Sequence, residues 1–490
     1  VIDEPQLKYS RQRDEGISSL NWNGNGNSLE FVDLHTGGKT NKSLTAQSLT
    51  LSLHKFSYKS AKGRTIDAGD GNLGLKLDSI RISLNDAGAW DWKTRIRNLE
   101  ANKFAMDSLG KHAGRLAIEK VKLDNLVVSS SNLLNLRDIL RSNAAFRLHG
   151  LTGSYHNENH LFDWYNTGYD KHTKYFTADS FSYRPAKDLK TFVAGSRYQA
   201  DYLTAQTGAI SLGPFDIGRY AKDSVLDLGE VTIKDALLTD FRDKRIPREP
   251  GIVRSLPANL VKKIPVRLLA DAVNLNNTHV VYEEVNEKTG ATGKIVVAQL
   301  EGKFRGLRNY NLSHDDSLHI HATARLEGIL FTQLDIHESY IDPLGGFVMK
   351  VKMDSADLRI FNPVLKPLIS AELKSGYLDS LSMQVTGREA FADGKIKMIY
   401  RDLKIRVTGN ENKKQLFGGR LRSFFANTVV RNQNKKNTAT VFTYRLRDRS
   451  AVNYLVKITF SGISSSIGLK KTDREARKNK ILLKKAAKLK

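Results

Sequence analysis

The chain has 490 residues, of which 40% are apolar and 26% charged, and it contains no cysteine. This composition argues against disorder and excludes disulfide bonds, thiolate metal sites and cysteine nucleophiles. The formal net charge is +25. This charge suggests two hypotheses: a polyanionic partner (nucleic acid, anionic lipid or lipopolysaccharide), or a surface whose charge simply keeps the protein soluble.

No segment of the sequence has the character of a membrane-spanning helix. There is no run of about 18 apolar residues, and no charged n-region followed by an apolar h-region stands at the start. The chain opens VIDEPQLKYS without an initiator Met. We therefore expect that an upstream segment, a signal or an anchor, has been removed.

Short stretches of alternating apolar and polar residues recur along the chain and predict strands with one dry and one wet face. One spacing, with apolar residues at p, p+2, p+5 and p+7, occurs at Leu44/Ala46/Leu49/Leu51, Leu75/Leu77/Ile80/Ile82, Phe176/Ala178/Phe181/Tyr183, Leu226/Leu228/Val231/Ile233 and Val351/Met353/Ala356/Leu358. Between p+2 and p+5 the parity flips, so a straight strand would turn its second apolar pair to the wrong face. The spacing therefore predicts a β-bulge or a tight turn at each copy, within a bent antiparallel sheet that has one continuous apolar face.

Helical patterns are few. Residues 131–142 (SNLLNLRDILRS) place apolar residues at helical spacing behind a Ser cap. Short helices are also predicted over 254–263 and over 362–369, the latter with Pro363 in its first turn. The tail from 473 to 490 is predicted to be a basic helix. This is too little helix to cover the sheet that the many strands would form.

Four prolines fall within residues 244–265: Pro247, Pro250, Pro257 and Pro265. Proline removes a ladder donor and biases the residue before it toward an extended form, which predicts a linker or hinge. The chain is accordingly divided into a β-rich N-terminal region (1–243), this linker (244–265), a second β-rich region (266–468) and a basic amphipathic tail (469–490).

The stretch LISAELKSGYLDSLSMQVTG, residues 368–387, alternates over most of its length. The alternation passes through Gly376 and Asp379, which predicts two short strand pieces joined at a kink or turn. The pattern leaves open what covers the apolar face, lipid or a second sheet.

No motif predicts phosphate binding or catalysis. GDGNLG (69–74) matches G-x-G-x-x-G, but the strand-like LKLDSIRISL follows where a dinucleotide site needs a helix. A Gly-rich hairpin turn is the better interpretation. No G-x-S-x-G, P-loop or kinase motif set occurs, and no acid stands isolated in an apolar run. The sequence therefore predicts a protein that is not an enzyme and needs no cofactor.

Histidines are present but do not predict a metal site. His156, His160, Asp163, Asp170 and His172 are close in sequence, yet their segment has the composition of a polar loop and lacks an H-E-x-x-H frame. His319 and His321 alternate on what we expect to be the polar face of a strand.

Two basic segments bear on possible partners. RLRSFFANTVVRNQNKK (420–436) interleaves arginines and aromatics, but no nucleic-acid module accompanies it, so a strand and turn with charged outer faces is favoured. Residues 469–490 hold ten Lys/Arg against two acids. Their composition fits a helix on an anionic membrane and equally a disordered basic terminus. The predicted membrane contacts are Lys478, Lys480, Ile481, Leu482, Leu483, Lys484, Lys485 and Lys488.

Residues 361–407 combine an Asn-Pro helix start (362–363), an S-G-x-L-D turn (375–379), Gly387 and Gly394, and a Y-x-D-L-K-I strand (400–405). In these features the segment resembles the C-terminal region of AsmA-like proteins of Gram-negative envelopes, especially uncharacterised Bacteroidetes-type members. The L-x-L-x-x-V-x-I-x-D unit at 226–235 is similar to that family's β-rich body. The resemblance extends over about residues 225–468.

This resemblance implies an inner-membrane anchor at the N-terminus and an elongated β-groove body in the periplasm. The family is linked to outer-membrane biogenesis and to phospholipid transport across the periplasm, like the repeating-β-groove bridge proteins of eukaryotes. The family's N-terminal helix is not among the residues of this sequence, and we expect it to belong to the removed upstream segment. No catalytic residues transfer, because the family has none known.

The leading interpretation is a non-enzymatic lipid-binding or lipid-transfer protein built on an elongated, twisted, mostly antiparallel sheet that forms a groove. Burial of an acyl chain on its apolar face would be favourable by about 0.8 kcal/mol per methylene. The partners would be a phospholipid or other acyl lipid and an anionic membrane surface. The residues predicted to line the groove are Leu226, Leu228, Val231, Ile233, Leu373, Tyr377, Leu381, Met383 and Val385.

Two alternatives stay open. A structural or adhesion protein would cover each apolar face with a second sheet, as in a β-sandwich. A polyanion-binding protein would use the net charge, and its binding would depend steeply on salt.

Overall fold

The computed structural model describes residues 6–12, 16–24, 27–37, 43–55, 57–59, 65–67, 71–84, 89–107, 114–132, 135–142, 146–407, 430–469, 472, 474–479 and 481. The protein is mainly β with a few short helices, which confirms the predicted fold class at that level. Its chain forms two compact units. The first unit comprises residues 1–187 and 206–229, and the second comprises 188–205 and 230–490.

The strands, numbered in chain order, are β1 (Gln6–Gln12), β2 (Gly16–Gly24), β3 (Asn27–Thr36), β4 (Ser43–His54), β5 (Ser57–Lys59), β6 (Thr65–Asp67), β7 (Asn72–Leu84), β8 (Trp90–Asp107), β9 (Gly114–Ser129), β10 (Arg147–Asn157), β11 (His160–Asp170), β12 (Tyr175–Ala178), β13 (Ser180–Pro185), β14 (Asp201–Thr207), β15 (Ile210–Gly213), β16 (Val225–Asp227), β17 (Glu230–Lys234), β18 (Leu237–Asp243), β19 (Arg267–Val285), β20 (Thr292–Arg308), β21 (Ser317–Leu326), β22 (Leu330–Ser339), β23 (Phe347–Met353), β24 (Ala356–Asp357), β25 (Ala371–Gly387), β26 (Phe391–Val407) and β27 (Thr438–Tyr444).

The helices are α1 (Leu136–Ser142), α2 (Leu189–Ala194), α3 (Ile217–Asp223), α4 (Pro257–Lys262), α5 (Asn362–Ile369) and α6 (Ala451–Ser466), with a 3-10 turn at Leu358–Phe361. Helix α5 has the predicted bounds. Helix α4 lies inside the predicted 254–263, and α1 begins at Leu136 rather than behind Ser131. Residues 472, 474–479 and 481 of the tail are helical.

The first unit contains an antiparallel meander in which each strand pairs with the next, in the order β1, β2, β3, β4, β7, β8, β9, β10, β11, β13. The histidine-containing segment predicted as a polar loop is the hairpin of β10 and β11. Asn157 makes this turn because its side-chain oxygen accepts hydrogen bonds from the backbone N–H groups of Asn159 and His160, at 2.9 and 2.7 Å.

A β-bulge resolves the parity problem of the recurring spacing in β7. Ser79 has a φ of 53°, and the four residues of β7 from Asp78 to Arg81 face only three of β8, from Arg95 to Lys93. Leu77 and Ile80 consequently pack in one cluster with Ile82. At Ala178/Phe181 and Met353/Ala356 the chain breaks between two strands instead. The predicted β-bulge and the predicted turn therefore both occur, at different copies of the recurring spacing.

The second unit is a mixed sheet. Strands β17 and β18 each run parallel to β19, which departs from the purely antiparallel expectation. From β19 the sheet continues antiparallel through β20, β21, β22, β23, β25, β26 and β27.

Helix α6 covers the apolar face of this sheet. Ser450 caps its N-terminus by accepting a hydrogen bond from the Asn453 N–H. Tyr454, Ile458 and Gly462, spaced by four, all turn inward, and Tyr454 and Ile458 are 1% and 0% exposed. The sequence analysis did not predict this helix, because its many β-branched and serine residues have low helix propensity.

The proline-rich segment 244–265 lies within the second unit. Leu256, at the N-cap of α4, is 2% exposed and belongs to the same core as β23, β25 and β26. The Arg254 N–H donates to the carbonyl of Arg447 at 2.8 Å. The segment is thus packed and hydrogen-bonded where a hinge was predicted.

In the described part of the chain, no helix combines the length and apolar character that crossing a membrane would need.

Candidate lipid-binding face

Four of the predicted groove residues lie in the closed core of the second unit. Leu373, Leu381, Met383 and Val385 are 9%, 2%, 4% and 1% exposed, and they pack in one cluster with Tyr454 and Ile458 of α6. The prediction that these four line an open groove is corrected, because the 3-10 turn, α5 and α6 of the same chain all contribute side chains to the cluster that covers them.

Tyr377, the fifth residue of that prediction, lies on the opposite face of β25. Residues 371–387 form one strand, and irregularities at Ser375/Tyr377 and Leu378/Ser380 shift its register. Leu378 consequently takes the core position and is fully buried. Tyr377 is half-buried, with the guanidinium of Arg401 4.4 Å from its ring centroid.

The other four predicted groove residues are half-buried. Leu226 and Leu228 belong to the first unit, whereas Val231 and Ile233 belong to the second. Val231 and Ile233 pair with Val273 and Leu275 of β19. Strand β25 pairs elsewhere, with β23, β24 and β26. The structure thus does not place the nine predicted residues along one ladder.

Two of the predicted membrane contacts, Lys478 and Ile481, lie in the helical tail and are exposed. The others, Lys480, Leu482, Leu483, Lys484, Lys485 and Lys488, fall outside the described residues, as do residues 408–429, which include most of the basic–aromatic segment.

The first unit carries an apolar face that none of the nine predicted groove residues belongs to. Its strands pair so that one leucine of each faces a leucine of the next: Leu29 with Leu51, Leu51 with Leu75, Leu75 with Leu99, Leu99 with Leu123, and Leu123 with Leu148. We call these six residues the leucine row. Phe31, Leu49, Leu77, Ile96 and Leu126 form a second row beside it.

All six side chains of the leucine row are half-buried, and none is fully buried. Leucines on neighbouring strands are about 5 Å apart, so each partly buries the sides of the next. A covering layer would also bury the ends of the side chains. That is the difference from the second unit, where Met349, Ile396 and Met398 under α6 are at most 2% exposed. The leucine row is therefore an apolar surface that stays partly accessible.

The opposite face of the same strands is charged. Arg97 is ion-paired with Asp78, and Lys122 with Glu100 at 3.1 Å. Burial alone would raise the pKa of Asp124, but hydrogen bonds from Asn98 and His149 outweigh it and lower that pKa. The sheet of the first unit is thus amphipathic, with its charges neutralised on one face and its leucines on the other.

Aromatic rings extend the apolar face toward β13. Phe162 lies 5.1 Å from Tyr183 and 6.4 Å from Tyr155, between ring centroids. Beside them a cavity of about 510 Å³ is lined by Trp164 and Phe181 together with serine, threonine and acidic side chains. The indole N–H of Trp164 is buried, and no hydrogen-bond acceptor for it occurs among the described residues.

The histidines of the second unit form a polar cluster. His319 and His337 stack with ring centroids 4.1 Å apart and share the Ser317 hydroxyl, while His321 lies 2.6 Å from Asp335. Within the described ranges, no group of three or more His, Asp or Glu side chains is placed to hold a metal ion.

The candidate site is therefore an apolar sheet face with an aromatic, partly polar end. Comparison with protein-family models, with curated proteins and with solved structures finds no match to this chain.

Proposed function

We propose that this protein binds acyl lipids on the apolar face of its first unit and carries them without chemical change. The observation that supports this is the half-exposed leucine row, which continues across six strands. The row crosses five inter-strand spacings and is therefore about 24 Å long. The acyl chains of one leaflet extend over half of the ~30 Å bilayer core, so the row is longer than they are. Each methylene transferred from water to this face would contribute about 0.8 kcal/mol.

We further propose that the protein acts in the periplasm of a Gram-negative envelope, attached to the inner membrane and shielding lipid in transit between the two membranes. This part rests on the resemblance of residues 361–407 to AsmA-like proteins. The amphipathic sheet is consistent with it, since one face can hold acyl chains while the other stays hydrated.

The direct test is to purify the protein without detergent, extract it with organic solvent and identify lipids by mass spectrometry. Stoichiometric phospholipid would support the proposal. Protein that carries no lipid and takes up no fluorescent fatty acid would refute it.

The second candidate function is that of a structural protein whose apolar faces are all covered by its own chain. The second unit favours this candidate. The apolar face of its sheet is already covered by α6. If this unit alone accounts for the function, an apolar dye such as Nile red should give no fluorescence increase with the whole protein.

A further inference from the structure

Four lysines form a two-by-two array on the outer face of the second unit's sheet. Lys350 and Lys352 stand on β23, and Lys395 and Lys397 stand on β26. Strand β25 lies between them, with Gln384 opposite both Lys350 and Lys395, and Ser382 opposite both Lys352 and Lys397. We call these four residues the lysine patch.

The patch faces away from the core. The alternating neighbours Met349, Val351, Ile396 and Met398 all point into the cluster under α6. The lysines between them, as well as Ser382 and Gln384, are exposed. Neighbouring strands are about 4.8 Å apart, so the two lysine pairs stand about 10 Å from each other.

Several basic residues of the same sheet have a carboxylate within 4 Å, whereas in the described part of the chain the four patch lysines do not. Lys294 pairs with Glu283 at 3.3 Å, Arg308 with Asp316 at 3.0 Å, and Arg406 with Glu372 at 2.6 Å. None of the four patch lysines lies within 4 Å of a carboxylate belonging to the described ranges.

Three carboxylates border the patch, and one of them, the exposed Asp354, follows Lys352 by two residues. Asp335 faces Lys350 across the β22–β23 pair, but its oxygens are bonded to His321 and Gln333. Asp393 precedes Lys395 by two residues on the same face of β26. The four lysines with these three carboxylates therefore keep a net charge of +1, and the centre of the array is occupied by uncharged amide and hydroxyl groups.

We propose that the lysine patch is a docking surface for an anionic phospholipid membrane. Four ammonium groups on one sheet face can approach several phosphate groups of a membrane surface together, and each cation near such a surface adds to the binding. Single-stranded nucleic acid is the less favoured occupant, because its binding surfaces interleave aromatic side chains for base stacking. On β23 and β25 the face positions beside the lysines are Val348, Ser382, Gln384 and Thr386, while on β26 Asp393 separates Lys395 from the one aromatic residue on that side, Phe391.

This inference goes beyond the acyl-chain binding proposed above, because it concerns the second unit and could hold if the first unit carried no lipid. The experiment is co-sedimentation of the full chain with vesicles of 30% phosphatidylglycerol in phosphatidylcholine. The test variant combines Lys350→Gln, Lys352→Gln, Lys395→Gln and Lys397→Gln. The control variant combines Lys187→Gln, Lys190→Gln, Lys222→Gln and Lys288→Gln, which removes the same charge from exposed positions elsewhere.

We expect about a fivefold loss of vesicle affinity for each patch lysine removed, and several hundredfold for all four. The control variant should lose at most about fivefold in total. Equal losses in both variants would show that net charge alone attracts the protein, which would overturn the proposal. So would patch-dependent binding to a DNA duplex without binding to the vesicles. Far-UV circular dichroism and the lipid content after extraction show separately whether the patch variant is folded and still carries acyl chains.

Discussion

Gly462 of α6 lies directly against Ile396 of β26. A Cβ atom on Gly462 would come 3.1 Å from Ile396 Cδ1 and 2.9 Å from Val441 Cγ2, closer than side chains tolerate. The missing side chain lets the helix backbone approach the sheet and close over Leu381 and Met383. This contact brings α6 into the core that covers the apolar face of β25, together with the 3-10 turn and α5.

Replacing this glycine should open the second unit. Gly462→Leu forces a branched side chain into a filled core and should lower the free energy of unfolding by about 3 kcal/mol. Because all four tryptophans lie in the first unit, hydrogen exchange with peptide-level mass spectrometry is the measurement to use. Peptides from β25 and β26 should lose protection.

Val456→Leu is the matched control, since Val456 lies on the exposed side of the same helix. It should change the free energy of unfolding by less than about 0.5 kcal/mol. Unchanged protection of β25 in the Gly462→Leu variant would mean that the helix does not seal this face.

The buried carboxyl of Glu338 should make the second unit pH-sensitive. Burial raises the pKa of Glu338 to about 7, although the carboxylate accepts a hydrogen bond from the Ala258 N–H at 3.1 Å. Glu389 adds to this shift, while Arg445 and Lys262 oppose it. Between pH 4.5 and 7 the folded state therefore keeps a proton that the unfolded state has lost.

It follows that the Glu338 contribution to stability is present at low pH and is lost as the pH rises to 7, by at most about 3 kcal/mol. Glu338→Gln keeps an acceptor for the Ala258 N–H but cannot titrate. Urea unfolding followed by far-UV circular dichroism should show the variant gaining stability over the parent between pH 5 and 7.5. The same pH slope in both proteins would contradict the assignment.

Single cysteines can report which apolar face is open, because the chain has no cysteine of its own. The Leu99→Cys thiol, in the half-exposed leucine row, should react with a maleimide in the folded protein. The Leu381→Cys thiol, 2% exposed in its parent residue, should react at least about tenfold more slowly until urea is added. Mass spectrometry of the intact protein measures both rates.

Preincubation with phosphatidylglycerol vesicles should protect the Leu99→Cys thiol if acyl chains occupy the row. Equal and slow reaction of both thiols would show that the row is covered in solution. Full reactivity that vesicles leave unchanged would contradict acyl-chain binding there.

A charge within the leucine row should abolish lipid binding. Leu51→Lys places an ammonium group where an acyl chain would lie, and bound phospholipid should fall at least about tenfold, because the chain cannot solvate that charge. Ser52→Lys, one residue along β4 and on the opposite face, is the matched control. Lipid extraction with mass spectrometry measures both, and tryptophan fluorescence confirms folding of the first unit. Equal retention in the two variants would contradict binding on this face.

Several features could be predicted from local sequence because they depend on neighbouring residues. Alternation predicted a mainly β protein, and the parity flip at Leu77/Ile80 predicted the bulge found at Ser79. The Asn-Pro start predicted α5 with its observed bounds. Helix α6 was missed because tertiary burial of Tyr454 and Ile458 stabilises a segment of weak intrinsic helix propensity.

What only the tertiary structure decided is which strand faces which, and in what register. The K-x-K pairs of β23 and β26 are separated by more than forty residues in the sequence, and the leucines of the row come from six strands, so their alignment depends on long-range ladder hydrogen bonds. The bulges of β25 likewise turned Tyr377 out of the core and Leu378 into it. The sequence by itself determined that each strand has an apolar face, because side chains alternate along a strand. The tertiary structure decided that α6 covers that face in the second unit, while in the first unit the leucine row stays half-exposed.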